Sequence, residues 1–404
     1  MTGMFRPRGF PFCGLAFTVL TGAVFVLISA FWGAAQAGHA RSHAAGLGKV
    51  LTTKDGGQIF GFDIDQSGDD GVLASAQTID GDGDVRVSVE VFDQDSGKIT
   101  KSLARYEGKR NEYSVHGIFA GDVALVTHYI TPQGSIYPRR KYKVMNPVAG
   151  GRFTGAWTPP VKDIDVLEWA ENQATSTGVV FAIALKDQDK PLLLASDIAS
   201  NAFTNVIHLD PDLFGLADGP TLGQFTAANE AVLALSPDGG AVGGSAPINA
   251  LVDLDPGAVA QFPGYNNGRF HAGYVNGLAV DPNTGVAATT TELNSQVEFY
   301  DLVNRKAVTF AQLPCTDDTD QVNSGSGVAV DPVNKLFLVT DQLYCDGSQG
   351  SAIVVYDEAG NLVETITGFN FAIGEPAPAL NPRKRMGWAF AGPSGFSQLQ
   401  QFFY

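Results

Sequence analysis

Two stretches of this chain repeat one another. Gly277-Leu-Ala-Val-Asp281-Pro282 and Gly327-Val-Ala-Val-Asp331-Pro332 stand fifty residues apart. Each is followed by a second apolar run, Val286 to Thr290 or Leu336 to Thr340. A third run closes on Tyr-Asp (Val297 to Asp301, Ile353 to Asp357), and a fourth follows a turn (Ala307 to Phe310, Leu362 to Ile366). Short apolar runs bounded by Asp, Asn, Pro and Gly read as strands joined by tight turns. One such unit cannot bury both faces of its sheet, so units of this period stack against copies of themselves.

Four short strands per repeat, at a period of 40 to 50 residues, is the signature of an all-β propeller. The other segments, laid on the two clear repeats, give seven blade starts. Blade one runs from Phe60 to Leu103, blade two from Val115 to Trp157, and blade three from Ile164 to Leu209. Blade four begins at Ala231-Val-Leu-Ala-Leu235 and ends near Phe262. The two clear repeats are blades five and six, and blade seven starts near Ala377. Seven four-stranded blades is the favoured count, although six or eight also fit. The last blade shows only three strands, so Lys49 to Thr53, ahead of blade one, is expected to supply its fourth and close the ring. Closure removes two open sheet edges that invite aggregation. Between blades three and four, Asp210 to Phe225 reads as a long linking loop and a candidate functional insertion.

The residues ahead of the repeats read as an export signal. Arg6 and Arg8 precede an apolar stretch from Phe12 to Trp32, and Ala34-Ala35-Gln36-Ala37 offers a small-x-small cleavage site. Residues 1–37 are therefore expected to be a signal peptide, 38–48 a flexible leader, and 49–404 the propeller. The alternative is an uncleaved anchor, the apolar stretch being about as long as a membrane span. Taking Arg6 and Arg8 from the 26 basic residues leaves 24 against 42 acidic ones. That balance argues against nucleic acid, whose phosphates need Lys and Arg opposite them. It suits a monomeric exported protein, periplasmic or extracellular, outside a bacterial cytoplasmic membrane.

Three turns carry a family resemblance: Asp281-Pro282-Asn283, Asp331-Pro332-Val333-Asn334 and Ser236-Pro237-Asp238-Gly239. They resemble the turns that end the inner strands of NHL, YVTN and gluconolactonase-like propellers. The resemblance implies the fold and says little of function. Arg269-Phe-His271 faintly resembles the Arg-His pair of some lactonases of that group.

Candidate chemistry is sparse. Asp63 to Asp70 looks like the opening of a calcium loop, but the twelfth position is Ala74 where a carboxylate is needed. Asp80, Asp82 and Asp84 form an alternating carboxylate cluster for a divalent cation such as calcium, or a solvated acidic loop. Cys315 and Cys345, the two cysteines outside the signal, are expected to pair in an oxidising compartment. His116, Asn229, Glu230, His271, Asn276, Asn323 and Glu375 all lie at or just ahead of expected inner strands. A ring of such groups at the channel mouth would hold a metal or a polar ligand. No Gly-x-Ser-x-Gly elbow, phosphate-cradling loop or His-Glu-x-x-His pair is present. Two readings follow. The favoured one is a non-enzymatic module binding a small molecule or a protein. The other is a metal-dependent hydrolase of the lactonase type, with His116, Glu230, Asn276 and Asn323 around a divalent ion.

Overall fold

A computed structural model describes residues 45–53, 56–79, 84–109, 117–120, 123–130, 139–145, 153–157, 164–172, 177–184, 191–197, 202–209, 221–222, 230–235, 248–254, 259–263, 275–291, 294–314, 324–345, 348–369, 377–391 and 397–404. The expected signal peptide and most of the leader fall outside them. Every regular element among the described residues is a strand. The strands form seven four-stranded antiparallel sheets, in six of which the strands pair in chain order. The seventh has the order Ala379–Asn381, Met386–Ala391, Gln398–Phe403, Gly46–Thr52. Neighbouring sheets meet mainly through their first strands, and these contacts lead from blade one to blade seven and back to blade one. The fold is a β-propeller with first strands innermost.

Blade six shows why these sequences make such sheets. Within its second and third strands, Leu336–Cys345 and Ser348–Asp357, residues 336–341 and 351–356 are buried on both faces. Phe337, Val339, Val354 and Tyr356 pack toward blade five, where Phe299 meets Phe337 edge-on at 5.5 Å between ring centroids. Leu338, Ile353 and Val355 point the other way, to Phe402 and Tyr404 of blade seven. A strand buried on both faces needs apolar residues at every position, which is why these runs are continuous and not alternating. Each fully buried large side chain contributes roughly 1.5–3 kcal/mol.

Gly46–Thr52 joins the outer side of blade seven by antiparallel pairing with Gln398–Phe403, with an irregularity between Leu47 and Val50. The strand therefore starts at Gly46, three residues before the expected boundary. Where the ladder is interrupted, glutamines satisfy the backbone. Gln401 Oε1 accepts the Lys49 N–H at 3.0 Å, and Gln400 Nε2 donates to the carbonyls of Gly48 and Lys49. Leu51 drops into a cluster with Ile59, Leu73, Phe92 and Trp388, which fills the seam between blades seven and one.

Blade four departs from expectation. Ala231-Val-Leu-Ala-Leu235 belongs to its second strand, Glu230–Leu235, and not to its first. The first is Thr221–Leu222, paired Thr221 to Ala234 and Leu222 to Leu233. The expected insertion 210–225 thus contributes the inner strand, and Ser236-Pro237-Asp238-Gly239 follows the second strand. Two residues are too short to leave a periodic signal, and the apolar run of the second strand is the stronger one.

Deleting residues 398–404 removes the third strand of blade seven and leaves Gly46–Thr52 without its partner. The expected outcome is severe loss of folded protein, followed by circular dichroism and melting. A truncated chain that melts like the parent would show that the pairing is dispensable.

Candidate functional site

At one end of the sheets the described turns of blades five and six share one device. Asp331 Oδ1 accepts the N–H groups of Val333 and Asn334, and Oδ2 accepts Asn334 Nδ2. Asp301 and Asp357 do the same for the turns between third and fourth strands of blades five and six. The residue that re-enters the sheet has positive φ, whether it is Gly285, Gly360, Arg305, Lys335 or Arg385. The Asp-Pro repeats are thus built for turn geometry. Their asparagines also reach across blades. Asn283 Nδ2 donates to the Pro332 carbonyl at 3.1 Å, and Asn334 Nδ2 to the Pro382 carbonyl at 3.2 Å. Buried Asn381 donates to the Gly68 carbonyl and to Gln94 Oε1, both at 2.9 Å.

The acidic run of blade one is part of this belt. Asp65 Oδ1 accepts the N–H and hydroxyl of Ser67. Lys384 of blade seven lies 2.6 Å from Asp69 and 2.8 Å from Asp95. Among the described residues no three His, Cys, Asp or Glu side chains are grouped to hold a metal ion.

The expected site residues separate. His116, Asn229, His271, Asn323, Glu375, Asp80, Asp82 and Cys315 lie outside the described residues. Asp84 starts the third strand of blade one, opposite Lys109 of the fourth. Cys345 ends the second strand of blade six, opposite Ser348. Asn276 sits in the first strand of blade five, where the register shifts between Val275 and Gly277. Glu230 is corrected: it is not ahead of an inner strand. It opens a second strand opposite Asp253, as Val286 does opposite Asp301. That is the turn end of the sheet, whereas Asn276 is at the start of its inner strand.

A pocket that the sequence reading missed lies on the flank of blade one. Three cross-strand rows share the face that carries Leu73. Gln77, Arg86 and Glu107 form one, Ser75, Ser88 and Arg105 the next, and Leu73, Glu90 and Ser102 the third. Leu73 and Phe92 on this face meet Trp388 and Leu51 of blade seven. Beyond them the face turns polar and a cavity of about 150 Å³ opens. Thr53 and Gly57, between the closing strand and blade one, complete its wall, tied together by a 2.8 Å hydrogen bond from Thr53 Oγ1 to the Gly57 carbonyl. A Cβ on Gly57 would meet the Ala76 carbonyl oxygen at 2.9 Å, so this wall needs glycine. Arg86 Nε donates to Glu107 Oε1 at 2.9 Å. That pair is partly exposed and worth at most about 1 kcal/mol, so it orients Arg86 more than it stabilises the fold. Ser75 and Glu90 are buried, and burying such groups is costly unless they are hydrogen-bonded. The sequence did carry a cue. Val85, Val87, Val89 and Val91 alternate with Arg86, Ser88 and Glu90, whereas the positions of blade six that match Ser88 and Glu90 are Ala352 and Val354.

No protein-family profile matches the chain, and no curated protein matches it in sequence. Solved structures match it in fold. The Dos1 propeller is 10% identical with a TM-score of 0.50, over 89% of this chain and 95% of that one. The WD40 domain of Neurospora crassa Pan2 is 11% identical with a TM-score of 0.53, over 87% and 93%. Likeness at this identity shows the fold: the chain is a β-propeller protein.

One carboxyl in the belt is tuned. Asp281 is fully buried, and its Oδ1 accepts the Asn283 N–H at 2.7 Å. Burial pushes its pKa up to about 6; the Asn283 N–H pulls against this, and Glu358 of blade six raises it further. Glu358 is held by the Thr284 hydroxyl and lies 3.8 Å from Lys335 Nζ. Because the folded state holds this proton more tightly than the unfolded chain, the stabilisation is complete below about pH 4 and lost as pH rises through about 6. Asp281→Asn keeps the turn-capping oxygen and removes the titration. Melting temperature against pH should therefore be flatter for Asp281→Asn between about pH 4 and 7. Parallel curves for variant and parent would assign the slope to other groups.

Proposed function

We propose that this propeller is an exported, non-enzymatic binding module whose principal site is the polar pocket on blade one. One observation carries the reading. On this flank of blade one the face is hollow, hydroxyl-lined and flanked by two guanidinium groups. Propellers are a scaffold on which function is grafted at local sites, and a cavity with convergent polar groups is the form a binding site takes. The metal-assisted hydrolase loses support, because Glu230 and Asn276 stand at opposite ends of their sheets. Kinship with the NHL, YVTN and gluconolactonase-like group rests on the three turns and adds the fold only.

Export is supported by Arg6, Arg8, the apolar stretch and the Ala35-Gln36-Ala37 site. An oxidising compartment would let Cys315 and Cys345 join, closing a loop of about 30 residues worth roughly 3 kcal/mol. Peptide mass spectrometry without reductant should show the two linked; two freely alkylated thiols would remove the disulfide.

The binding reading is tested by a thermal-shift screen of small polar molecules and peptides. Parent protein is compared with Ser102→Leu, which fills the exposed edge of the pocket, and with a His116→Ala/Asn276→Ala double variant. A hit lost in Ser102→Leu and kept in the double variant is expected. A hit with the reverse behaviour would move the site to the channel mouth.

A further inference from the structure

The lining groups that the fold leaves unengaged point to what this pocket takes. We infer that it takes a small monocarboxylate, its acid group held by the Arg105 guanidinium and by serine hydroxyls of the same face. The inference rests on the pocket being the binding site, and concerns only the ligand's chemistry.

Much of the lining already has partners. Thr53 Oγ1 donates to the Gly57 carbonyl, Arg86 is bridged to Glu107, and Gln77 and Glu90 are engaged within the fold. Four lining side chains remain. Among the described residues no hydrogen bond or ion pair engages Ser75, Ser88, Ser102 or Arg105.

Cross-strand register gathers three of the four into one row. Ser75, Ser88 and Arg105 stand directly opposite one another on the second, third and fourth strands, and Ser102 belongs to the next row. Adjacent strands lie about 4.8 Å apart, so two hydroxyls and a long guanidinium side chain can meet at one small group. The row runs from inside to outside. Ser75 is only 6% exposed, Ser88 is half-buried and Arg105 is exposed. A buried hydroxyl without a partner is costly, and the cavity is the place where the partner of Ser75 belongs.

Charge decides the class. A guanidinium only donates and stays protonated. Its complement is a charged acceptor, and a carboxylate meets its fork with two parallel hydrogen bonds. Serine hydroxyls then donate to the lone pairs left over. A neutral polyol would leave the charge of Arg105 unmatched, and an amine would be repelled by it. One unpaired guanidinium balances one negative charge. A dianion such as phosphate would bring a second, opposed by Glu107, which stands two residues along the same strand and about 6.8 Å away. The net charge of −16 on the whole chain opposes it further.

Size sets the limit. The cavity of about 150 Å³ holds the volume of about five waters at about 30 Å³ each. That is room for an acid of a few carbons, whereas drug-sized ligands need about 300 Å³ upward. Among the described residues no aliphatic or aromatic side chain lines it, so a hydroxy acid suits it better than a fatty acid.

The test is titration calorimetry with saturation-transfer NMR on the full chain. The probes are acetate, lactate and glycerate, set against inorganic phosphate, glucose and butylamine. Expected is binding of at least one of the three acids with a Kd of about 1 mM or tighter, weakening several-fold from about 0.05 to about 0.5 M salt. Arg105→Gln should weaken it at least tenfold and Ser88→Ala about threefold, both variants melting like the parent. Arg105→Lys, which keeps the charge and loses the fork, should fall between parent and Arg105→Gln. Binding of glucose or phosphate, lost in Ser102→Leu with no acid bound, would overturn the ligand class and leave the pocket as the site. Acid binding unmoved by Arg105→Gln and Ser102→Leu would overturn both, and so would a chain that binds none of the probes.

Discussion

The pairing of Gly46–Thr52 with Gln398–Phe403 is the interaction on which the remainder depends. It gives blade seven its outer strand and puts Leu51 into the seam cluster. It also hands the chain directly to blade one, so that Thr53 and Gly57 arrive as one wall of the pocket. Its irregular ladder leaves the backbone of Gly48 and Lys49 to side chains. Buried Gln400 and Gln401 answer those groups, and Gln401 also donates to the Gln94 carbonyl of blade one at 2.8 Å. Two glutamines thus join the ends of the chain to each other and to the first blade. An unsatisfied buried amide there would cost about 1–3 kcal/mol.

The seam between blades seven and one works differently along its length. At the turn end it is polar but filled: Asn381, Gln94 and Lys384 bridge the blades. In the middle it is apolar, with Trp388 against Phe92 at 5.4 Å between ring centroids. Toward the opposite end it is polar and hollow. The filled polar part binds blade to blade through matched partners, and the apolar part supplies the burial that tolerates a cavity nearby. Structure and site are therefore neighbours on one face, meeting in the row of Leu73, Glu90 and Ser102.

How much of this was legible follows from which signals are local. Blades five and six announce themselves because strands buried on both faces are continuously apolar and their turns need Asp, Asn and Pro at fixed offsets. The closing strand could be placed by counting, since a three-stranded blade with a spare strand upstream has one economical solution. The inner strand of blade four was invisible because Thr221–Leu222 has no periodicity of its own; only its register against Leu233 and Ala234 defines it. That error carried Glu230 to the wrong end of its sheet. The pocket was overlooked for another reason. Its row members are up to 30 residues apart in sequence and become neighbours only through cross-strand register, so a search for short motifs passes over them. The alternation of Val85 to Val91 was the trace it left.

The order in which a ribosome releases the chain gives the closing pair a timetable. Gly46–Thr52 emerges early, and its partner strand some 350 residues later, as the 352-residue separation of Lys49 and Gln401 shows. At about 5–20 residues per second, the early strand waits on the order of tens of seconds with its edge bare and Leu47 and Val50 exposed. For that interval it is a template for any passing strand, including the same segment of another copy. Crowding of nascent chains is therefore the hazard that the finished ring no longer faces.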